Sequence, residues 1–422
     1  RQNYKGSEPV KKSIAILPLL DLSENTDKEY LADGLTEAIT MYLSQSKSLR
    51  VISRGSAMRY KGEKKLYPEI AKELGVDLLL EGSVHFSGDT MRVVAQLIEP
   101  LPKEKHIWAD AYDQVDSNIL GLAGIITNDI TREITAVNTL EKEITKIELG
   151  NREAYDLYLR GRHLWNTQKT RTKSLLKALD YLTDAIQKDP KLAMADVTLA
   201  ETYLAINAIS GDHELAVKYR EKARNAVDKA LALDQSLAEA YVTRGSIKGK
   251  IDWDWEGMKL LAEKALEVAP NNADAHMLLS DYYVIKNYYQ KAVEESLIAE
   301  RLDPLNPSFG YLVGQRHYIT GNYEQAIKKY QDVIDFHPDY GWAYDGLGFA
   351  WLKVGKEDEA IESWQKLQQI MGNDELYQCY NDRGFMECLH YFLKNATNNE
   401  PRYCSNPMII SSIFMLTNNQ DE

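Results

Sequence analysis

Cysteine is scarce in this sequence. Its three cysteines in 422 residues, Cys379, Cys388 and Cys404, all lie near the C-terminus. An odd count without a Cys-x-x-Cys pair supports neither a disulfide framework nor a zinc site, so buried free thiols are expected. No apolar run reaches the ~18 residues that a membrane-spanning helix needs. Positive charge is also short, with 50 Lys+Arg against 63 Asp+Glu and a net charge of −13. That argues against a nucleic-acid surface, because phosphate contacts need clustered Lys and Arg. The deficit is uneven: residues 1–150 carry 19 Lys+Arg against 23 Asp+Glu, and the remainder 31 against 40. There is no initiator Met and no signal sequence. The opening RQNYKGSEPVKK reads as a linker, and the expectation is an excised soluble piece of a longer protein.

Catalytic groupings are missing too. No nucleophile–base pair, Walker loop or cyclase metal aspartates can be assembled. Ser53-Arg54-Gly55-Ser56 only loosely resembles a phosphate cradle, since the Gly-x-x-x-x-Gly-Lys-Ser/Thr spacing is absent. His85 and His106 have no third ligand at useful spacing. The expectation is therefore no catalytic residue, no cofactor and no metal. Asp33-Gly34-Leu35-Thr36-Glu37 reads as the start of a helix, its acid and Thr suited to capping. Gly82, within Leu80-Glu81-Gly82-Ser83-Val84, reads as a strand glycine that permits close backbone approach.

A hydrophobic content of 44% with 27% charged residues is globular, and the length suggests two or three domains. The first part alternates strand and helix patterns. Ser13–Leu20 reads as a strand, with Pro18 at its edge or end. Tyr30–Gln45 has apolar residues at helical spacing. Leu49–Ser53 is a second strand, and Leu66–Leu74 a helix stopped by Gly75. Val76–Phe86 and Thr90–Ile98 form a hairpin around Ser87-Gly88-Asp89. Ile107–Tyr112 is a further strand, and Ile119–Ile147 a long helix leading out. The order gives an α/β domain, a small mixed sheet with helices packed on it.

From residue 151 a different period takes over. Pro270, Pro304 and Pro338 are spaced by 34 residues, and Pro190 and Gln235 continue the series with insertions. Small residues recur at the helix crossing, at Gly161, Ala200, Gly245, Ser280, Gly314 and Gly348. Others open the second helices at Ala178, Ala223, Ala292, Ala326 and Ala360. Leu182, Tyr330 and Trp364 fill the gap toward the next repeat. Asp252-Trp253-Asp254-Trp255 replaces the usual tight turn, and both tryptophans are expected to pack on the adjoining repeat.

Two resemblances follow from these residues. The segments SIAILPLLDLSENTDKEYLADGLTEAIT, LRVISRGSAMRYKG, IAKELGVDLLLEGSV, MRVVAQLIEP and HIWADAYD together resemble the TolB-like N-terminal domain of bacterial signalling proteins, a relative of the FlgO family. Leu101-Pro102-Lys103-Glu104 departs from that pattern at one hairpin. The repeats resemble the tetratricopeptide family, which implies an all-α superhelix of helix pairs. The expected organisation is a linker at 1–12, the α/β domain at 13–115, a connecting helix at 116–150, six repeats at 151–372 and a degenerate or truncated seventh at 373–422. Within the last segment, Tyr377–Leu393 and Pro407–Asn418 look helical.

The tetratricopeptide resemblance implies binding on the concave face, lined by the first helix of each pair. In that register the inward positions of the two cleanest repeats are Tyr311, Gln315, Tyr318, Trp342, Asp345 and Phe349. A peptide or protein is the implied partner, and the Lys/Arg/Asn set of a carboxylate clamp is absent. The TolB-like resemblance implies an upstream effector, either an AraC-type or winged-helix DNA-binding domain or a class III nucleotide cyclase, often beyond a transmembrane helix. It implies an extracytoplasmic place outside an inner membrane, with the cytoplasm as the alternative. The resulting expectation is a non-catalytic sensor and interaction region. The alternatives are the regulatory region of an adenylate cyclase and a self-associating, homodimeric scaffold.

Overall fold

The computed structural model describes residues 12–23, 28–87, 90–115, 118–135, 151–168, 171–209 and 213–371. The expected linker through residue 11, the tip of the 87–89 turn, the two C-terminal helices and the three cysteines lie outside these residues. The chain divides into two compact units, Arg1–Asn306 and Pro307–Glu422.

The first unit begins with six strands: β1 (Lys12–Ile16), β2 (Leu20–Asp21), β3 (Leu49–Val51), β4 (Leu78–Ser87), β5 (Thr90–Glu99) and β6 (Lys105–Val115). They form one mixed sheet in the order β3-β1-β4-β5-β6, with β2 also paired to β4. β1 runs parallel to β3 and β4, and the β4–β5 and β5–β6 pairs are antiparallel hairpins. Pro18 explains why Ser13–Leu20 is two strands rather than one. It has no N–H for a ladder, and the break falls at 17–19. Gly82 is required where it stands, because a Cβ there would lie 2.1 Å from the Val94 carbonyl oxygen.

Helix α1 (Glu29–Ser44) and helix α4 (Ile119–Thr135) cover one face of the sheet. There Ile14, Ile16, Leu80, Val93 and Leu97 meet Leu35, Ile39 and Leu43. The short α2 (Arg54–Ala57), a 3-10 turn at Met58–Tyr60 and α3 (Tyr67–Leu74) complete the domain. On the opposite face Ala15, Leu17 and Leu79 pack with Ile52, Tyr60, Ile70 and Leu74. Helix α4, the described part of the expected Ile119–Ile147 helix, belongs to this core; residues 136–147 lie outside the described residues. Ile119, Ala123, Ile126 and Ile130 are all fully buried against α1 and the sheet, and each of the three isoleucines contributes about 1.5–3 kcal/mol.

Helix pairs follow in the same unit: α5 (Arg152–Gln168) with α6 (Thr172–Lys188), α7 (Ala193–Ile209) with α8 (His213–Leu233), α9 (Ala238–Lys250) with α10 (Trp255–Val268), and α11 (Ala273–Ile285) with α12 (Tyr289–Leu302). The second unit holds α13 (Pro307–Ile319) with α14 (Tyr323–Phe336) and α15 (Gly341–Lys353) with α16 (Glu357–Met371). The small crossing residues let paired helices approach. At Gly314 an added Cβ would sit 2.5 Å from the buried Tyr330 ring. Tyr330 thus fills the crossing of its own pair as well as the gap to the next, where it also meets Gly346.

The α/β domain shares hydrophobic cores with helices α5, α6 and α7 and with the turn after α12. Tyr155, Tyr158 and Leu159 of α5, with Leu182 and Ala195, belong to the cluster under α1. Leu305, after α12, belongs to the cluster on the opposite face of the sheet.

Candidate functional site

Within the first unit, the first helices of the repeats grip the α/β domain. The contact centres on the segment Asp33–Glu37, which lies inside α1 rather than at its start, so its acids do not cap the helix. Asp33 and Glu37 are one helical turn apart and face the same way. Asp33 accepts from Lys61 at 2.6 Å and meets His163 of α5 at 3.0 Å. Glu37 accepts from Arg162 of α5 at 2.6 Å and from Asn166 at 3.0 Å, with Arg54 at 3.5 Å. Arg162 also reaches Glu201 of α7 at 2.5 Å. Gly34, between the two acids, allows this approach, since a Cβ there would be 2.8 Å from Leu159.

Burial works against both carboxylates, but their partners win. Hydrogen bonds from His163 and Lys61 hold Asp33 below the ordinary aspartate value. Arg162 and Arg54 do the same for Glu37. Glu239 of α9 goes the other way: burial raises it, only partly offset by Arg162. Glu37, Arg162 and Glu239 border a cavity of about 40 Å³ between α1 and helices α5, α7 and α9. That is room for a few waters and well short of a drug-sized ligand pocket.

A second grip covers the edge of the sheet. β3 is an edge strand, and such an edge leaves unpaired N–H and C=O groups. Asn271, in the turn between α10 and α11, supplies the missing partner. Its Oδ1 accepts from Val51 N at 3.2 Å, and its Nδ2 donates to Leu49 O at 3.1 Å. The same Nδ2 lies 2.9 Å from Ser46 O and 3.2 Å from Ser44 O. One side-chain amide thus acts as a one-residue strand. Further along the edge, Ser53 N donates to Leu302 O at 2.7 Å. The Ser53–Ser56 loop does hold an anion, but it is the chain's own. Asp303 accepts from Ser56 N at 2.9 Å and from Ser56 Oγ at 2.5 Å.

The second unit holds the six positions singled out in the sequence. Tyr311 of α13 is half-buried and contacts the rings of Tyr330, Tyr340 and Trp342, with centroids 5.8, 6.3 and 6.3 Å away. Trp342 stays 47% exposed. Asp345, one turn along α15, is 5% exposed, and its Oδ1 has no hydrogen-bond partner among the described residues. Burial pushes its carboxyl up to about 7 against a contact from Trp364. Burial raises the hydroxyls of Tyr311 and Tyr330, and the charge of Asp345 adds to the rise. Tyr311, Trp342 and Asp345 therefore come together. The other three turn to neighbours in their own helix pairs: Tyr318 to Tyr323 at 5.5 Å, Phe349 to Trp364 at 5.1 Å, and Gln315 to Arg316, whose guanidinium donates to it at 2.7 Å. Sequence reasoning missed Tyr340, which precedes α15 and so stands outside its helical spacing.

The expectation for Trp253 is corrected. It is 72% exposed and sits at φ 58°, while Trp255 is partly buried against it in an edge-on pair at 5.4 Å. The turn's carboxylates take the structural work. Asp254 caps α10 through Gly257 N at 2.9 Å, and Asp252 is tied to Arg224 and Arg244.

A family model described as TPR repeat matches residues 314–355. The chain is similar to putative adenylate cyclase 3 of Rhizobium meliloti (strain 1021), 34% identical over 200 residues that make up 46% of this chain and 32% of that protein. It is similar to tetratricopeptide repeat protein 37 of Xenopus laevis, 24% identical over 237 residues that make up 48% of this chain and 14% of that one. The chain thus spans about a third or less of the length of these curated relatives. The crystal structure of PilW, a type IV pilus biogenesis factor, aligns over 52% of this chain and 94% of its own at TM-score 0.43 and 16% identity.

Proposed function

We propose that this chain is a non-catalytic sensor and interaction region of a bacterial signalling protein. It binds a peptide or protein on the first-helix face of α13 and α15. One observation carries the reading. Tyr311, Tyr340 and Trp342 form a contiguous aromatic cluster near Asp345, whose Oδ1 has no hydrogen-bond partner among the described residues, on tetratricopeptide repeats, a protein-interaction fold. Exposed aromatics supply contact area at little entropic cost. The TolB-like reading of the α/β domain belongs to the same proposal and is supported by the sequence motifs. The experiment is a pull-down from envelope and cytosolic extracts with the chain and with its Tyr311→Ala, Trp342→Ala double variant. Loss of a specific partner from the double variant is expected, and unchanged capture rejects this face as the site.

The similarity to a putative adenylate cyclase favours one effector over the DNA-binding alternatives. In this second reading the chain regulates a nucleotide cyclase. Cyclic AMP formation by the full-length protein, with and without the double substitution, tests it. An output that the substitution does not move argues against regulation through this face. An extracytoplasmic place beside an inner membrane is also part of the proposal. It is supported by the resemblance alone and is checked by protease accessibility in intact spheroplasts.

A further inference from the structure

We infer that the aromatic cluster of α13 and α15 selects a cationic side chain, the lysine or arginine of an extended peptide, with Asp345 as its counter-ion. The inference rests on the peptide-binding reading of this face and goes beyond it by naming the chemistry of the ligand.

The rings are inclined to one another. Tyr311 meets Tyr340 at an interplanar angle of 63° and Trp342 at 51°, so the rings form walls rather than a flat stack. Tyr340 is steadied by a hydrogen bond to Ser308 Oγ at 3.2 Å. Aromatic faces carry negative quadrupole charge and attract ammonium and guanidinium groups. A carboxylate then supplies the full countercharge. Asp345 is on the same face of α15 as Trp342, three residues on, and is nineteen-twentieths buried with Oδ1 unsatisfied among the described residues. A buried carboxylate with one oxygen unmet is costly, and an incoming cation lowers that cost while meeting the rings. A neutral apolar side chain would meet the rings and leave the carboxylate orphaned. An acidic one would be repelled.

The other charged groups near these rings fit this reading. Arg316 of α13 acts on Tyr311 and Tyr330, but it is buried and donates to Gln315. The influences on Asp345 are burial and Trp364 of α16. The Tyr311 hydroxyl is pushed up to about 12 and that of Tyr330 higher still, so neither titrates near neutrality. His317 of α13 is held below its ordinary value by burial and by Lys329 of α14.

The test uses the whole chain and three fluorescent peptide pools of mixed Gly and Ser. The pools differ at one central residue: lysine, norleucine or glutamate. Fluorescence polarisation is expected to show at least about tenfold tighter binding of the lysine pool than of either other pool. The preference should vanish in Asp345→Asn, an isosteric change whose folding is confirmed by circular dichroism. Because lysine stays protonated while Asp345 must ionise, lysine-pool affinity should rise about tenfold from pH 6 to pH 8. Equal binding of the lysine and norleucine pools overturns the inference, as does a lysine preference that survives Asp345→Asn. So does the absence of binding by any pool. If all pools bind alike and Trp342→Ala abolishes binding, the face is a peptide site and the cation selectivity fails. If Trp342→Ala and Tyr311→Ala change nothing, the peptide-binding reading fails with it.

Discussion

Replacing Asn271 with alanine should loosen the α/β domain from the repeats without disturbing either alone. The side chain contacts main-chain groups at four places on the sheet edge and the loop before it, at 2.9 to 3.2 Å. Its two N–H groups are shared among three carbonyls, so the contacts amount to about three hydrogen bonds. At a net ~0.5–1 kcal/mol each, with about 1 kcal/mol more for leaving a buried group unmet, the loss comes to about 2–4 kcal/mol. The penalty falls on Val51 N–H, in a residue only 1% exposed. At 1.4 kcal/mol per factor of ten, the undocked state should become roughly 30- to 1,000-fold more populated. Hydrogen exchange followed at the Val51 amide measures this directly. Faster exchange there, with α13 and α14 unchanged, is expected. Asn271→Asp keeps an acceptor but sets a carboxylate against three carbonyls, and should be at least as damaging. Exchange within about threefold of the parent in both variants would refute the one-residue-strand account, since three lost bonds cannot leave so small a trace.

Three further outcomes follow. Asp33 and Glu37 are held below their ordinary values when folded, so their contribution is fully present above the unfolded carboxylate range and is lost as pH falls through the folded values. Acid titration monitored by limited proteolysis should therefore release the α/β domain below about pH 4, whereas Arg162→Met should weaken the docking already at neutral pH by removing the guanidinium that Glu37 and Glu201 share. Gly314→Ala should cost about 1–3 kcal/mol in denaturant unfolding, because its Cβ meets a ring that cannot retreat. Trp253→Gly should leave stability unchanged or raise it by up to about 1 kcal/mol, by relieving a left-handed backbone at an exposed residue; a loss of about 3 kcal/mol or more by thermal unfolding would mean that the ring is buried after all.

Local pattern made much of this molecule legible. The repeat spacing and the recurring small residues announce helix pairs because each pair must solve the same packing problem. The strand runs announce a sheet because alternation and turn chemistry are local. Three of the six positions singled out by helical periodicity, Tyr311, Trp342 and Asp345, lie near one another on α13 and α15. What stayed illegible depends on distance along the chain. Asn271 looks like any turn asparagine after a proline, and nothing near it reports a strand edge waiting 220 residues away. Asp303 likewise reads as an ordinary helix end, although it meets Ser56 across 247 residues. The tryptophan of Asp252-Trp253-Asp254 misleads for the opposite reason. Its apolar bulk predicts burial, yet the flanking carboxylates satisfy the turn and leave the ring outside.

The covered edge of β3 also sets a clock for biosynthesis. The sheet leaves the ribosome well before the residue that closes it. At roughly 5–20 residues per second, the 220 residues from Val51 to Asn271 take about 10–45 s to emerge. Throughout that interval the nascent chain shows an open strand that a neighbour on the same messenger could borrow. Chains cut short before the α10–α11 turn would carry that open edge permanently and should self-associate, whereas chains that reach past Asp303 should not.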